Sequence, residues 1–513
     1  MSNEPASEPV STNNEVGSRS LEGLHGTVQV PPTGAGFWRN YRAFIGPAFL
    51  ISVGYMDPGN WGTDLQAGAS YRYDLLWVVA LSSFMAIIMQ VIAARLGVVT
   101  GKDLAQACRD FYPAWTRWPN WLACEVAIGA CDLAEVLGSA VAINLLFHIP
   151  LFWAVLITAF DVLLLLALQG VGMRFIEAFI FVLVTTIGCC YFIEIFVLPQ
   201  THPDFLEMGH AMLSPGFRQD GMMIVVAIGI IGATVMPHNL YLHSALVNSR
   251  NLPTNEPMVR RAIKFNTIDT VVALSIAFFV NAAILVLAAM AFHGKDGVLL
   301  PAGDVVKYVE ETRTYTDMKT SEAIAIYDED SKACLDPKTG QKLPEDRFAQ
   351  FNNDPDWIRV AFLTLVPLLG ASLASTLFAV ALLASGQSST ITGTLAGQVV
   401  MEGFMHWRIR PWVRRLITRL LAILPAIFII GMRGDEASVT DLLVLSQVVL
   451  AMQLPLAMFP LLHFTSSRKW MGAYRNGWFL LIAGWSSCVL ITALDIYGLP
   501  DALQKAWAVI AGH

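Results

Sequence analysis

The sequence predicts an all-α integral membrane protein with about eleven transmembrane helices, arranged as two inverted blocks of five with the first helix of each block broken. Three observations lead to this prediction. The 513 residues are 55% hydrophobic and only 14% charged, and the mean hydropathy of +0.55 lies outside the range of soluble domains. Apolar runs long enough to cross a bilayer recur along the chain. Two of these runs are interrupted near their middle by a proline, Pro58 and Pro237.

The charges beside the predicted spans give them an orientation. The spans are residues 41–67, 75–98, 120–146, 149–170, 174–198, 222–247, 264–292, 359–385, 415–431, 439–464 and 476–496. Connections after even-numbered spans are basic, whereas the opposite connections carry acids such as Asp204, Glu207, Asp435 and Glu436. The positive-inside rule therefore places the amino terminus in the cytoplasm, and we expect a multi-pass protein of the cell membrane.

Polar segments flank the spans at both ends. Residues 1–40 contain no early apolar core, so we expect a disordered cytoplasmic tail rather than a signal peptide. Residues 475–513 are predicted to hold the eleventh span and a carboxyl-terminal tail, in which the apolar run 502–511 is too short to cross a bilayer. The seven cysteines show no disulfide framework and no CxxC metal spacing.

One long insertion, residues 294–357, connects the seventh and eighth spans on the outer side. It is acidic, with the densest cluster at Asp328, Glu329 and Asp330. Clustered acids can concentrate cations near a channel or transporter mouth. The favoured interpretation is a solvated loop, because surface connections tolerate long insertions.

The two prolines define a symmetry. Each break opens a block of five spans, 41–199 and 222–465, and an odd number of spans inverts the second block relative to the first. Interrupted spans in corresponding positions of two halves indicate a transporter whose substrate lies at the crossing of the broken helices, near the middle of the bilayer. A proline break leaves backbone groups bare, which the membrane permits only where they line a protein-walled cavity.

The first break supplies cation ligands. Asp57 offers a carboxylate oxygen and Asn60 an amide oxygen, while Pro58 and Gly59 allow the chain to leave helical geometry and expose carbonyls such as that of Gly54. An ionisable side chain at membrane depth is costly, so Asp57 is a functional-site candidate.

The second break supplies a softer ligand. The Ala233 carbonyl can turn inward before Pro237, and Met236 can present a thioether. Most membrane methionines fill the core, but beside a proline and opposite Asp57 the ligand interpretation is favoured. A thioether suits Mn²⁺, Fe²⁺ and softer ions better than Mg²⁺ or Ca²⁺. In the tenth span, Gln447 or Gln453 can complete the shell, and the other can bridge helices.

Three acids in the third span suggest a proton route. Glu125, Asp132 and Glu135 lie along one side of a helix. The alternative is that some of them cap or pair structurally, and for Glu125 the two interpretations are balanced. His238, directly after the second break, titrates near neutral pH or is a hydrogen-bonded core residue.

Arginines begin the ninth span. Two interpretations of Arg414, Arg415 and Arg419 are open. They anchor the helix on the cytoplasmic side, or they form ion pairs with the acids of the third span.

Several motifs resemble those of the Nramp (natural resistance-associated macrophage protein) metal transporters. They are Asp57-Pro58-Gly59-Asn60-Trp61, Met236-Pro237-His238-Asn239 and the stretch from Gly386-Gln387-Ser388-Ser389-Thr390 to Met401-Glu402-Gly403-Phe404. The resemblance spans residues 41–496 and implies a LeuT-type fold and proton-coupled import of Mn²⁺ and Fe²⁺, with Cd²⁺ and Co²⁺ also carried. Met236 argues against the magnesium-transporting branch. The long insertion and the long amino-terminal tail depart from a bacterial-type member.

The resemblance also implies residue roles. Family members use acids that correspond to Asp132 and Glu135, and a histidine that corresponds to His238, in proton transport. The metal would be held by Asp57, Asn60, Met236 and the Ala233 carbonyl, with Gln447 joining in some states.

Two alternatives to a metal importer are open. The first is a metal-sensing or signalling membrane protein, although the sequence contains no soluble output domain. The second is a Na⁺-coupled carrier of organic solutes, which an anionic site with sulfur suits poorly. No nucleophile elbow, P-loop or catalytic zinc motif is present, so we expect no enzyme and no cofactor. The expected partners are divalent metal ions, protons and the lipid bilayer, with no nucleic acid, and we expect a monomer.

Overall fold

Helices dominate the computed structural model, as the composition predicts. The structure describes residues 20–32, 34–161, 173–193, 203–216, 221–252, 255–291, 293, 373–433 and 439–511, and parts of the 297–349 segment. In chain order the helices are α1 Phe37–Phe44, α2 Pro47–Ser52, α3 Pro58–Tyr71, α4 Leu76–Thr100, α5 Leu104–Phe111, α6 Arg117–Phe147, α7 Leu151–Ile157, α8 Met173–Phe192, α9 Phe205–Leu213, α10 Gly221–Val235, α11 Pro237–Leu246, α12 Glu256–Ala291, α13 Leu373–Met405, α14 Pro411–Arg433, α15 Val439–Ser466, α16 Arg468–Met471 and α17 Trp478–Ala511.

Within this described part, seven helical stretches are long and apolar enough to cross a membrane. They correspond to α4, α6, α8, α10 with α11, α12, α15 and α17. Shorter apolar helices occupy the first and fourth predicted spans, at Pro47–Met56 and Leu151–Phe160. The predicted span residues 162–170, 194–198 and 359–372 lie outside the described residues. The all-α membrane class is confirmed, and the repeat boundaries stay a prediction.

The first predicted break lies between α2 and α3. After Ser52 the chain forms a short 3₁₀ turn, Gly54–Met56, before α3 begins at Pro58. Pro58 fits the first helical position because its missing N–H has no intrahelical partner there. The Asp57 carboxylate caps α3 by accepting the N–H of Asn60 at 2.8 Å.

The second predicted break lies between α10 and α11. Met236 separates them with a φ of +41°, a left-handed backbone that non-glycine residues rarely adopt. Pro237 then starts α11. Because both helices are interrupted at the predicted prolines, these two predictions are confirmed.

Two predictions about the flanking segments are wrong. Residues 20–32 and 34–40 are not disordered: Leu21 is buried, its N–H bonds to Glu402 Oε2 at 2.8 Å, and β1 (Val28–Gln29) pairs in parallel with β2 (Arg250–Asn251). The 502–511 tail is not a separate segment, because α17 continues through it and Lys505 Nζ reaches the sulfur of Met222 at 3.7 Å.

The insertion between α12 and α13 is not simply a loop. The described part of this insertion contains six strands, whose residue ranges are given below. They form an antiparallel sheet in the order β7-β6-β5-β4-β3-β8. Valine, isoleucine and tyrosine in these segments favour strands, a signal that a search for membrane spans does not use. The strands are β3 Gly297–Leu299, β4 Asp304–Val309, β5 Thr314–Asp317, β6 Ala323–Asp328, β7 Ala333–Leu335 and β8 Phe348–Ala349.

The predicted boundaries of the eighth span are also wrong. Helix α13 runs to Met405, twenty residues past the predicted end at 385. The added part is rich in serine and threonine, but their hydroxyls are satisfied inside the bundle. Ser388 and Thr394 bond back to carbonyls of the preceding turn, and Ser389 bonds to Glu135. This places the polar motif of residues 386–404 against α6, where Gly386 and Gly393 face Ser139 and Glu135.

Candidate functional site

The two helix breaks meet inside the protein, joined by one side chain. Asn60 on α3 donates from Nδ2 to the Ala233 carbonyl on α10 at 3.1 Å. A Cβ built on Gly54 would lie 3.2 Å from the sulfur of Met236. Asp57, Asn60, Gly54, Ala233 and Met236 are all buried, with no more than 1% of their surface exposed where a value is given. The structure therefore brings together the five residues predicted for the two breaks.

Asp57 has one oxygen in use and one oxygen free. Its Oδ1 accepts bonds from the Asn60 backbone N–H at 2.8 Å and from Asn60 Nδ2 at 2.9 Å. Its Oδ2 is buried and has no hydrogen-bond partner among the described residues. A carboxylate oxygen in a water-free interior is costly unless a cation or a proton compensates it. The site can thus accept a positive charge at Asp57.

Met236 places a thioether sulfur beside the first break. Its thioether accepts a bond from Asn239 Nδ2 at 3.2 Å, and its side chain packs with Cys131 and Leu450. The left-handed backbone of Met236 belongs to a class of conformations that cost about 1–3 kcal/mol and cluster at functional sites.

Gln447 on α15 lies against the first break. Its Nε2 donates to Ser446 Oγ at 3.0 Å, whereas its Oε1 is buried without a partner in the described structure. A Cβ built on Gly59 would lie 1.9 Å from Gln447 Nε2, so the two residues are in close contact. Gln447 is therefore beside the predicted ligands, and its participation in ion binding stays a prediction. Gln453 is instead directed to Cys124, with Nε2 3.4 Å from the sulfur.

This contact gives a first test. Gly59→Ala should displace Gln447 or α3, because overpacking a filled core costs about 1–3 kcal/mol. We expect ion uptake to fall at least about tenfold while the protein still folds. Gly129→Ala in α6 is the matched control, since a Cβ there meets nothing within 4 Å. Equal uptake by the two variants in a liposome assay would mean that the contact between Gly59 and Gln447 is not needed.

The α6 acids form a buried ion cluster with α14. Arg415 pairs with Asp132 through NH1 and with Glu135 Oε2 through NH2 at 2.8 Å. Ser389 and Thr390 of α13 donate to the two oxygens of Glu135 at 2.7 and 3.2 Å. All of these side chains are buried, so the acids are held by a fixed cation and by hydroxyl donors.

Glu125 pairs separately, nearer the surface. Arg414 NH2 reaches both of its oxygens, at 3.1 and 2.8 Å, and the Glu125 side chain is 20% exposed. Arg419 lies deeper, with NH1 3.9 Å from Glu135 Oε2. Of the two interpretations of the α14 arginines, the structure therefore shows the pairing with the α6 acids.

His238 is the second residue of α11, directly after the second break. It is buried, and its Nδ1 has no hydrogen-bond partner among the described residues. Asp132 is close enough to interact with it electrostatically, and Glu135 interacts in the same way with Asp57. Asp132 therefore lies near His238, and Glu135 lies near the predicted ligand Asp57.

Sequence reasoning missed Asn281 on α12. Its Nδ2 donates to the Tyr55 carbonyl at 2.8 Å and to Asn60 Oδ1 at 3.3 Å, so it orients the amide of a predicted ligand. The signal was available, because an asparagine inside an apolar span usually bonds to another helix. No group of three or more His, Cys, Asp or Glu side chains able to hold a metal occurs among the described residues, so this mixed set from the two breaks is the metal candidate.

The fold and the site define a class. Two membrane helices broken at a shared, buried site with one free carboxylate oxygen are characteristic of secondary transporters that bind a cation between two repeats. The comparisons with known proteins give the family. The profile described as "Natural resistance-associated macrophage protein-like" (Nramp) matches residues 48–312 and 349–501. The chain belongs to the Nramp family.

Several proteins of known sequence or structure are similar to this chain. It is 44% identical over 492 residues to the divalent metal cation transporter MntH of a Nostoc species, covering 95% of this chain and 96% of that protein. It is 42% identical over 479 residues to MntH of Listeria innocua, covering 93% and 94%. The crystal structure of the Eremococcus coleocola manganese transporter superposes with a TM-score of 0.75 at 33% identity, covering 96% of both chains.

A more distant structure shares the fold alone. Mhp1, a nucleobase-cation-symport-1 family transporter, superposes with a TM-score of 0.52 at 12% identity, covering 91% of this chain. With these neighbours the predicted LeuT-type fold is confirmed.

Proposed function

We propose that this protein imports divalent transition-metal ions together with protons by alternating access across the cell membrane. The substrates are Mn²⁺ and Fe²⁺, and also Cd²⁺ and Co²⁺. The observation that carries the proposal is the free, buried Oδ2 of Asp57 beside the amide of Asn60, the carbonyl of Ala233 and the thioether of Met236. The names of the relatives, which are divalent metal cation and manganese transporters, support it.

The ligand set favours borderline ions. Carboxylate, amide and carbonyl oxygens bind any divalent cation, whereas a thioether is a poor partner for Mg²⁺ and Ca²⁺. The same sulfur argues against a Na⁺-coupled carrier of organic solutes. We further propose that transport involves no catalysed reaction and no resident cofactor, and that the protein acts as a monomer with its amino terminus in the cytoplasm.

Reconstituted protein tests the proposal. Proteoliposomes should take up Mn²⁺ faster when the outside is acidic, and excess Mg²⁺ or Ca²⁺ should compete weakly. Protein-free liposomes provide the background. Uptake of Mn²⁺ that does not respond to a pH gradient would contradict proton coupling, and equal competition by Mg²⁺ would contradict the proposed selectivity.

The cluster around Arg415 is the proposed proton route. Asp132→Asn and Glu135→Gln each remove one titratable group next to a buried guanidinium, so we expect acid stimulation of uptake to fall at least about threefold in each variant. Equilibrium Mn²⁺ affinity should change less than tenfold, because neither carboxylate is a proposed ligand.

Glu207→Gln is the matched control for these variants. Glu207 pairs with Arg72 at 2.8 Å, but both side chains are well exposed, at 39% and 49%, and exposed pairs contribute only about 0–1 kcal/mol. Its pH profile should match that of the parent protein. If the profiles of Asp132→Asn and Glu135→Gln also match the parent, the cluster is structural and protons take another path.

A further inference from the structure

Asp64 is a buried carboxylate to which neither the metal site nor the proposed proton route assigns a role. It lies on α3, seven residues after Asp57, which corresponds to about 10 Å along a helix axis. Its surface is 0% exposed. Neither of its oxygens has a hydrogen-bond partner among the described residues. This differs from Asp57, where one oxygen is bonded, and from Glu135, where both are.

The surroundings of Asp64 follow from its neighbours on the same helix face. Asn60, four residues earlier, contacts Asn281 of α12 at 3.3 Å. Gly68, four residues later, is so close to α12 that a Cβ would lie 2.2 Å from the Leu285 carbonyl oxygen. Residues four apart share a helix face, so Asp64 lies in the tight interface between α3 and α12.

Within the described part of the chain, neither carboxylate oxygen of Asp64 has a basic side chain as its partner. Helix α12 carries no ionisable residue between Asp269 and its end, and α10 carries none at all. Of the other helices packed on α3, α15 has Asp441 near its start and His463 near its end, and α6 has Arg117, Glu125, Asp132 and Glu135. Glu135 interacts electrostatically with Asp57, and His293, just after α12, contacts the Ala69 carbonyl of α3 at 3.1 Å. On α3 itself, Asp57 is the acid that interacts with Asp64 electrostatically.

An ionised carboxylate with neither a hydrogen bond nor an ion pair is the most costly state of such a group in a membrane interior. Protonation removes that charge. We propose that Asp64 holds a proton while no metal is bound at Asp57 and gives it up to water when a divalent ion binds there and α3 loosens from α12, so that Asp64 is a second proton site linked to metal binding. This inference rests on the proposed function.

The linkage has a physical cause. With the metal site empty, Asp57 and Asp64 repel each other if both are ionised, which favours a proton on Asp64. A divalent ion at Asp57 reverses the local charge and favours the ionised form of Asp64. The proton leaves Asp64 as H⁺ to solvent, and the reverse occurs when the metal departs.

Infrared difference spectroscopy of the purified full chain tests this proposal directly. Adding Mn²⁺ to the parent protein should remove a carbonyl stretching band of a protonated carboxyl group, and that band should be missing from Asp64→Asn. Calorimetry in two buffers of different ionisation enthalpy should show fewer protons released per Mn²⁺ in Asp64→Asn, with the Mn²⁺ dissociation constant changed less than about tenfold. Asp204→Asn, which alters an exposed helix cap, should leave both readings at the parent values.

Each outcome decides the proposal. If the band persists in Asp64→Asn, Asp64 is not the protonated group. If the band is lost but proton release is unchanged, Asp64 is protonated without being linked to the metal, and the proposal is overturned. If Asp64→Asn fails to fold, Asp64→Glu replaces it, and we expect this variant to shift the frequency of the carboxyl band. An unchanged frequency in Asp64→Glu overturns the proposal. If the parent protein binds no Mn²⁺, the proposed function fails, while a pH titration of the band without metal still tests the protonation of Asp64.

Discussion

Replacing Asp57 with alanine should abolish Mn²⁺ binding and uptake, with a loss of at least about a hundredfold in affinity. Asp57 is the carboxylate at the crossing of the two breaks, and its buried Oδ2 has no partner in the part of the chain that the structure describes. Without this charge a divalent ion meets only neutral ligands in a low-dielectric site, which cannot compensate for its lost hydration. Isothermal titration with Mn²⁺ and uptake into proteoliposomes would measure the two losses.

The controls separate charge from helix capping. Asp57 also caps α3, and losing a cap costs about 1 kcal/mol. Asp57→Asn keeps an oxygen that can accept the Asn60 N–H, so it should fold like the parent protein but lose Mn²⁺ in the same way. Asp204→Ala removes a comparable cap from the exposed helix α9 and should leave uptake unchanged. Near-parental Mn²⁺ uptake in Asp57→Asn would remove the Asp57 charge from the site.

Replacing Met236 with alanine should weaken selectivity more than it weakens transport. The variant keeps Asp57, Asn60 and the Ala233 carbonyl, which together form an all-oxygen site of the kind that hard ions accept. We expect Cd²⁺ affinity to fall by about one to two decades, Mn²⁺ affinity to fall less, and Ca²⁺ and Mg²⁺ to begin to compete. Competition assays against Mn²⁺ uptake would rank the ions.

Two further variants isolate the sulfur. Met236→Leu keeps most of the volume without the thioether and should share the loss of selectivity. Met89→Ala removes another fully buried methionine, in α4, and should lower stability without changing the order of the ions. If Ca²⁺ and Mg²⁺ stay excluded in Met236→Ala, selectivity depends on cavity size or hydration, and Met236 is a packing residue.

The parts of the site governed by local chemistry were predictable from the sequence. Pro58 and Pro237 had to interrupt their helices, because proline lacks an N–H and clashes with the preceding turn. Once both helices were broken, Asp57 and Met236 followed as the predicted charged and soft ligands. The pairing of Arg415 with Asp132 and Glu135 was one of two open interpretations, and burial of all three side chains in the structure selects it.

The parts that depend on tertiary contacts were not predictable. The tail residue Leu21 is ordered because Glu402, distant in sequence, accepts its N–H. Helix α13 extends past residue 385 because Glu135 of another helix satisfies Ser389 and Thr390, which hydropathy alone scores as polar. The left-handed backbone of Met236 likewise has no sequence signature, since only the surrounding packing can hold it.

The central claim is that a divalent ion is held where the two breaks meet. Anomalous X-ray diffraction from crystals of the full chain grown with Mn²⁺, recorded on both sides of the manganese absorption edge, tests it most directly. We predict one strong manganese peak within coordination distance of Asp57 Oδ2, the Ala233 carbonyl oxygen and the Met236 sulfur, and no peak there in Asp57→Asn crystals. A manganese peak at another buried position, with none at the breaks, would contradict the account.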